Sequence, residues 1–326
     1  YGVLPELDML TRCVSIQNLG TTPITLTKAA SFCLDLPYGK WEWMHFHGRH
    51  AMERITERTP LIHGIQESSS TRGTSSHHQN PTAILCTPDC TETNGSCFGA
   101  AFLYSGSFQT KIEYDQMRQA RMVMGLHPDL FRWELQPNAT FDTPEVLFTY
   151  SDSGLETLSH RFQKTIREHV CRGKYQKIER PVLINNWEAT YFDFNEEKIL
   201  KIAEEAARLG VDMLVLDDGW FGKRDDDCSG LGDWFVNEQK LRGGLGTLVQ
   251  KVKALGMRFG IWFEPEMISE DSDLYRTHPD WAIQIPGRKP VKGRNQLLLD
   301  FSRKEVVDAV YEQMCQVLDQ GNIEYV

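Results

Sequence analysis

Short apolar runs separated by turn residues fill the first 150 positions of the chain; beyond them, helical faces alternate with short apolar runs. Runs of β-type composition lie at 12–17, 24–27, 83–86, 96–104, 111–114 and 145–150. They are punctuated by Asn18-Leu-Gly20, Thr22-Pro23, Thr87-Pro88, Asn94-Gly95 and Gln136-Pro-Asn138. Frequent short strands with such turns predict an antiparallel β-sandwich over residues 1–150. Leu155, Leu158, Phe162, Ile166 and Val170 share one helical face and predict a linker helix within 151–180 that leads out of the sandwich.

From Pro181 the pattern becomes β/α. Strands are predicted at 182–185, 213–216 and 258–263, with a fourth beginning at 323–326. Between them lie three helical faces. The first carries Ile199, Ile202, Ala203, Ala206 and Leu209, with Asn195 as its cap and Gly210 as its stop. The second carries Leu245, Leu248, Val249, Val252 and Leu255. The third carries Val306, Val310, Met314 and Val317, opened by Ser302-Arg-Lys-Glu305, which has the form of a capping box. Right-handed crossovers between such strands give a doubly wound sheet or a (β/α)8 barrel. No Gly-x-Gly-x-x-Gly follows the first strand, which weakens the dinucleotide-binding alternative. The strand tails carry Asn186-Trp187-Glu188, Asp217-Asp218 and Glu264-Pro265-Glu266, a pattern that suits a barrel with function at its carboxyl face. Residues 181–326 are therefore expected to form the N-terminal part of a (β/α)8 TIM barrel after the β-sandwich.

The run 214–222, Leu-Val-Leu-Asp-Asp-Gly-Trp-Phe-Gly, concentrates the chemistry. Two adjacent acids at the end of a buried strand either cap the next loop or grip a polyhydroxylated ligand. Sugars offer hydroxyls to carboxylates and C–H faces to aromatic rings, so a sugar site combines paired acids with tryptophans. Trp187 follows the first strand and Trp262 lies in the third, although a tryptophan there also serves as core. Arg294 precedes the run Leu297-Leu-Leu299, where it reaches a hydroxyl, balances the acids or simply faces solvent. Asp225-Asp226-Asp227 reads as a solvated loop. His45, His47, His50, His77 and His78 read as structural.

The formal net charge of −10 argues against nucleic acid or an anionic membrane as partner, and no apolar run reaches membrane-spanning length. Eight cysteines are too few for a disulfide scaffold. Cys86, Cys90 and Cys97 lack the second pair of a zinc ribbon, so free thiols, a reducing cytoplasmic compartment and no metal or other cofactor are expected.

Six stretches together resemble glycoside hydrolase family 36, the microbial α-galactosidases. They are 180–190 (Arg-Pro-Val-Leu-Ile-Asn-Asn-Trp-Glu-Ala-Thr), 216–226 (Leu-Asp-Asp-Gly-Trp-Phe-Gly-Lys-Arg-Asp-Asp), 231–234 (Leu-Gly-Asp-Trp), 262–267 (Trp-Phe-Glu-Pro-Glu-Met), 273–281 (Asp-Leu-Tyr-Arg-Thr-His-Pro-Asp-Trp) and 293–296 (Gly-Arg-Asn-Gln). The resemblance implies a retaining hydrolase of terminal α-galactosides in raffinose-type oligosaccharides, with the intact parent expected to be a homo-oligomer. It implies that Asp217 and Asp218 hold galactose hydroxyls, that Trp187 and Trp262 wall the pocket and that Arg294 adds contacts. In the family the nucleophile is the aspartate of a Lys-Trp-Asp motif after a strand like 323–326, and the acid/base lies further on. The expectation is thus of a fragment, with a sandwich incomplete at its N-terminus, lacking both catalytic groups and inactive by itself. A non-catalytic galactoside-binding protein and a transglycosylase on the same fold are the alternatives.

Overall fold

In Phe108–Tyr114 and Ala120–Leu126 alternate side chains turn inward: Phe108, Thr110, Ile112 and Tyr114 on one, Ala120, Met122 and Met124 on the other. This period of two is that of a sheet with one buried face. The computed structural model describes residues 1–129 and 131–326, in two compact units, Tyr1–Ile178 and Glu179–Val326.

The first unit is a β-sandwich. Its four-stranded antiparallel sheet runs in the order Ala30–Asp35, Ala120–Leu126, Phe108–Tyr114 and Gly64–Ser70. The facing sheet has seven strands, Gly2–Leu4, Met9–Arg12, Val146–Ser151, Cys97–Phe102, Gln79–Cys86, Glu42–Arg49 and Met52–Pro60. Phe32, Leu85, Ala100, Phe102, Phe108 and Met122 belong to the core they enclose. Several of these strands, notably Glu42–Arg49 and Met52–Pro60, fall outside the runs singled out in the sequence. Met52–Pro60 is exposed over most of its length, so it carries no alternation to detect.

Helix Gly154–Thr165 packs on the strands Cys97–Phe102 and Val146–Ser151, which corrects the expectation of a linker helix leading away. The helix lies close because Gly99 has no side chain: a Cβ there would stand 2.7 Å from Phe162 and 2.9 Å from Leu158. The backbone then widens into a π-helical turn, Ile166–Val170, which shifts the apolar stripe. Leu158 is buried, whereas Ile166 and Val170 are exposed. Cys86, Cys90 and Cys97 pack beneath this helix with Phe46, Ile84 and Leu158, and all eight cysteines are free.

The second unit has the winding of the opening part of a (β/α)8 barrel. Leu183–Asn185, Met213–Leu216 and Arg258–Ile261 are parallel neighbours in sequence order. The chain continues that order, for Glu324 donates to the Phe259 carbonyl at 2.9 Å and Ile261 to the Tyr325 carbonyl at 3.0 Å. Met213–Leu216 is buried on both faces, as befits a parallel strand between helices. Asn195 caps Glu196–Arg208 by accepting from the Lys198 amide at 3.0 Å. The box expected at Ser302 does not form. The Ser302 hydroxyl donates to Asp300 at 2.6 Å, a stronger acceptor two residues back, and Arg303 becomes the cap of Lys304–Leu318.

Candidate functional site

Two asparagines tie the end of the first parallel strand to the end of the second. Asn186 is fully buried; its amide oxygen accepts from the Asp217 N–H at 2.8 Å, and its nitrogen donates to Thr190 Oγ1 at 2.9 Å. Asn185 Nδ2 donates to Asp217 Oδ2, and Asn185 Oδ1 accepts from the Trp187 N–H at 2.7 Å. Asp217 in turn accepts from the Asp218 amide at 2.7 Å. Two bonds to the Asp217 carboxylate and one to its backbone N–H thus set the direction of this side chain while leaving it half-buried.

Asp218 is deeper. Arg224 Nε lies 3.0 Å from its Oδ1 and 3.2 Å from its Oδ2, and Nη2 lies 2.9 Å from Oδ2. Both side chains are buried, Arg224 completely. The loop curls back this far because Gly219 and Gly222 have φ of 93° and 47°, a region that side-chain-bearing residues avoid.

Aromatic rings frame these acids. Trp187 meets Tyr191 and Phe192 edge-on, with centroids 5.2 and 5.0 Å away. Phe192 lies 5.6 Å beneath the Arg224 guanidinium carbon. On the other side, Trp220 Nε1 donates to the Trp262 carbonyl at 2.9 Å, fastening the third strand's end to the loop of the second. Trp262 stacks near Phe221 with centroids 6.3 Å apart and meets Trp234 edge-on. Trp187 and Trp262 remain half-buried, whereas Trp220 and Trp234 are core. Four of the five residues expected to touch ligand therefore gather at the carboxyl ends of three adjacent parallel strands.

Arg294 is held differently. Gly293 and Gln296 exchange backbone bonds of 3.0 and 2.9 Å across a two-residue turn, in which Arg294 and Asn295 have φ of 50° and 65°, the signs of a type I′ turn. Asn295 Nδ2 lies 3.3 Å from Cys228 Sγ, docking the turn on the loop that follows Arg224. Arg294 itself is exposed. Its charge reaches Glu264, whose carboxyl is pushed above the ordinary range by burial and then by Glu266, with Arg294 and Arg224 opposing.

Arg224, Asn185 and Lys240 were not singled out from sequence, and Asn186 was named there only as part of a polar strand tail. Lys240 Nζ donates to the carbonyls of Phe192 at 3.1 Å, Gly219 at 3.0 Å and Arg224 at 3.2 Å and pairs with Asp225 at 2.8 Å. Asp233, within one of the quoted stretches, lies elsewhere: it accepts from the Asp273 and Leu274 amides at 2.9 and 3.0 Å and so seats the short helix Asp273–Thr277. Asp226 and Asp227 make local loop contacts, Asp226 accepting from the Cys228 amide and from Ser229 at 2.9 Å each and Asp227 from the Cys228 thiol at 3.3 Å. In the sandwich, Glu57 lies 3.3 Å from His47 and 3.8 Å from His45. Among the described residues no group of three or more His, Cys, Asp or Glu is placed to hold a metal ion, and no helix is long and apolar enough to cross a membrane.

Comparison with known proteins matches both units. Residues 1–136 fit the glycosyl hydrolase family 36 N-terminal domain and residues 140–326 fit melibiase. Over the whole chain, 58% of positions are identical to the bifunctional alpha-galactosidase/sucrose kinase AgaSK of Mediterraneibacter gnavus, of which the chain spans 35%. The solved galactosidase domain of that protein superposes with a TM-score of 0.97, covering all of this chain and 45% of that one. A variant of the family 36 alpha-galactosidase AgaA from Geobacillus stearothermophilus, solved in complex with raffinose, is 48% identical with a TM-score of 0.95, over 98% of this chain and 44% of that one. The chain thus spans less than half the length of each of these relatives. The matches of both units place the chain in glycoside hydrolase family 36.

Proposed function

We propose that the protein carrying this chain hydrolyses terminal α-galactosyl residues of oligosaccharides with retention of configuration. The observation that carries this reading is the pairing of Asp217 and Asp218 at the end of a buried parallel strand, with Trp187 and Trp262 on the neighbouring strand ends. The relatives named above are alpha-galactosidases, and one of them binds raffinose. In this reading the two aspartates accept hydrogen bonds from galactose hydroxyls. Trp187 and Trp262 offer ring faces to its C–H groups, and Arg294 reaches a further hydroxyl from its turn.

Retention needs a nucleophilic carboxylate and an acid/base carboxyl about 5–5.5 Å apart on opposite sides of the anomeric carbon. Asp218 is a poor nucleophile here, because Arg224 occupies both of its oxygens. Asp217 has one oxygen committed to Asn185 and the other to the Asp218 amide. Both are suited to recognition, and the reading assigns nucleophile and acid/base to residues outside 1–326. We assign the protein to the cytoplasm on its free thiols and to a homo-oligomer on family resemblance.

The test is an NMR time course of a p-nitrophenyl α-galactoside with the complete protein. The first-formed anomer of free galactose should be α. An initial β-anomer, or absence of galactose release, contradicts the proposal.

A further inference from the structure

We propose that Arg224 is a positioning residue for sugar recognition, acting through Asp218 rather than through the ligand. The inference rests on the galactoside reading of the site. Arg224 is fixed from every side. Its Nε and Nη2 fork the Asp218 carboxylate, and its Nη1 donates to the Ser229 carbonyl at 3.0 Å. Phe192 lies under its guanidinium plane, and Lys240 holds its carbonyl. None of its surface reaches solvent.

Burying such a pair is expensive, and apolar residues of similar volume often stabilise a core as well or better. What the pair supplies instead is a fixed carboxylate. An ionised carboxylate has about four lone-pair sites; the fork takes those on one edge and leaves the rest pointing away from Arg224. Asp218 is thereby held in one rotamer and presented along one direction, which is what a directional bond to a sugar hydroxyl needs. The same guanidinium rests on Phe192, whose ring meets Trp187, so the acid and the aromatic wall share one support. Lysine, a point charge without the fork, cannot reproduce this arrangement.

The experiment compares wild type, Arg224→Lys and Phe192→Leu in the complete protein, on an aryl α-galactoside and on its four monodeoxy analogues. Wild-type turnover is measured first, and its absence would count against the galactosidase reading alone. Given turnover, Arg224→Lys should remain folded by circular dichroism and lose about tenfold or more in kcat/KM on the parent galactoside. Phe192→Leu, which keeps the ion pair but loosens its seat, should lose about threefold. On the one analogue lacking the hydroxyl that Asp218 holds, each variant should lose less than on the parent galactoside, Arg224→Lys less than about twofold, because the bond being positioned is already gone. A merely structural arginine would give equal losses on all five substrates. Equal losses, or wild-type kcat/KM in whichever of the two variants folds, overturn the proposal.

Discussion

Arg224 reaches back six residues to clasp Asp218 with both faces of the pair out of solvent. The loop 219–230 is therefore anchored at its acid, and everything it carries is placed relative to that acid. Lys240 completes the anchorage by binding three carbonyls on two loops. The rigidity of this arrangement suits a site that must present carboxylates in a set direction.

Asn186 is the matching tie between the first two strands. Asn186→Ala leaves the Asp217 amide without its side-chain acceptor in a place water barely reaches. Losing a buried hydrogen bond of this kind costs about 1–3 kcal/mol. Urea unfolding should show that loss with the slope of the transition unchanged, and kcat/KM should fall with it as Asp217 loses its set direction.

The cysteines should divide sharply in reactivity. Burial pushes the Cys86 and Cys97 thiols up to about 12, so at pH 8 only about one in 10⁴ is thiolate. Cys13, Cys33 and Cys228 are exposed. A maleimide pulse on native protein, read by peptide mass spectrometry, should label those three within minutes and leave Cys86, Cys90 and Cys97 intact until denaturant is added.

Glu264 gives a pH signature. Its folded carboxyl is raised above the ordinary 4.5, first by burial and then by Glu266. The folded state therefore holds that proton more tightly than the unfolded chain does. Stability from this group is full below the ordinary value and is lost as pH rises through the folded one. Glu264→Gln should match wild type in Tm near pH 4 and exceed it at pH 7 to 8. A variant less stable than wild type at pH 7 would show that the charge is compensated after all.

The polypeptide 1–326 by itself leaves strand edges uncovered, with Leu183 41% and Tyr325 47% exposed. Unpaired apolar edges recruit other chains. Light scattering should show association that grows with concentration, and Leu183→Lys should reduce it.

Much of the second unit was legible because local signals agree there. The run Met213–Leu216 is too short and too apolar for anything but a buried parallel strand, Asn195 caps its helix as read, and the polar strand tails mark the site end. Arg224 was hidden for the opposite reason. It stands before three aspartates, which read as solvent-facing, and only the positive-φ glycines 219 and 222 bend the loop until it meets Asp218. Ser302 failed as a cap because Asp300 competes for its hydroxyl. The helix Gly154–Thr165 read correctly as amphipathic, but no periodicity says which surface an apolar face will meet; Gly99, on another strand, decides that.

In the proposed function, the acids ending the second parallel strand hold the galactosyl group. Asp218 is an awkward probe, because removing it strands a buried arginine, at a cost of about 3–5 kcal/mol. Asp217→Asn keeps the shape while removing the charge, and its single amide oxygen retains one of the two bonds that the carboxylate accepts from Asn185 and the Asp218 amide. In the complete protein, kcat/KM on an aryl α-galactoside should drop about 10–100-fold, the loss expected for a charged hydrogen bond to substrate. Lys223→Ala, exposed in the next loop, should stay within about twofold of wild type. A folded Asp217→Asn variant with wild-type kcat/KM would contradict the assignment of this site.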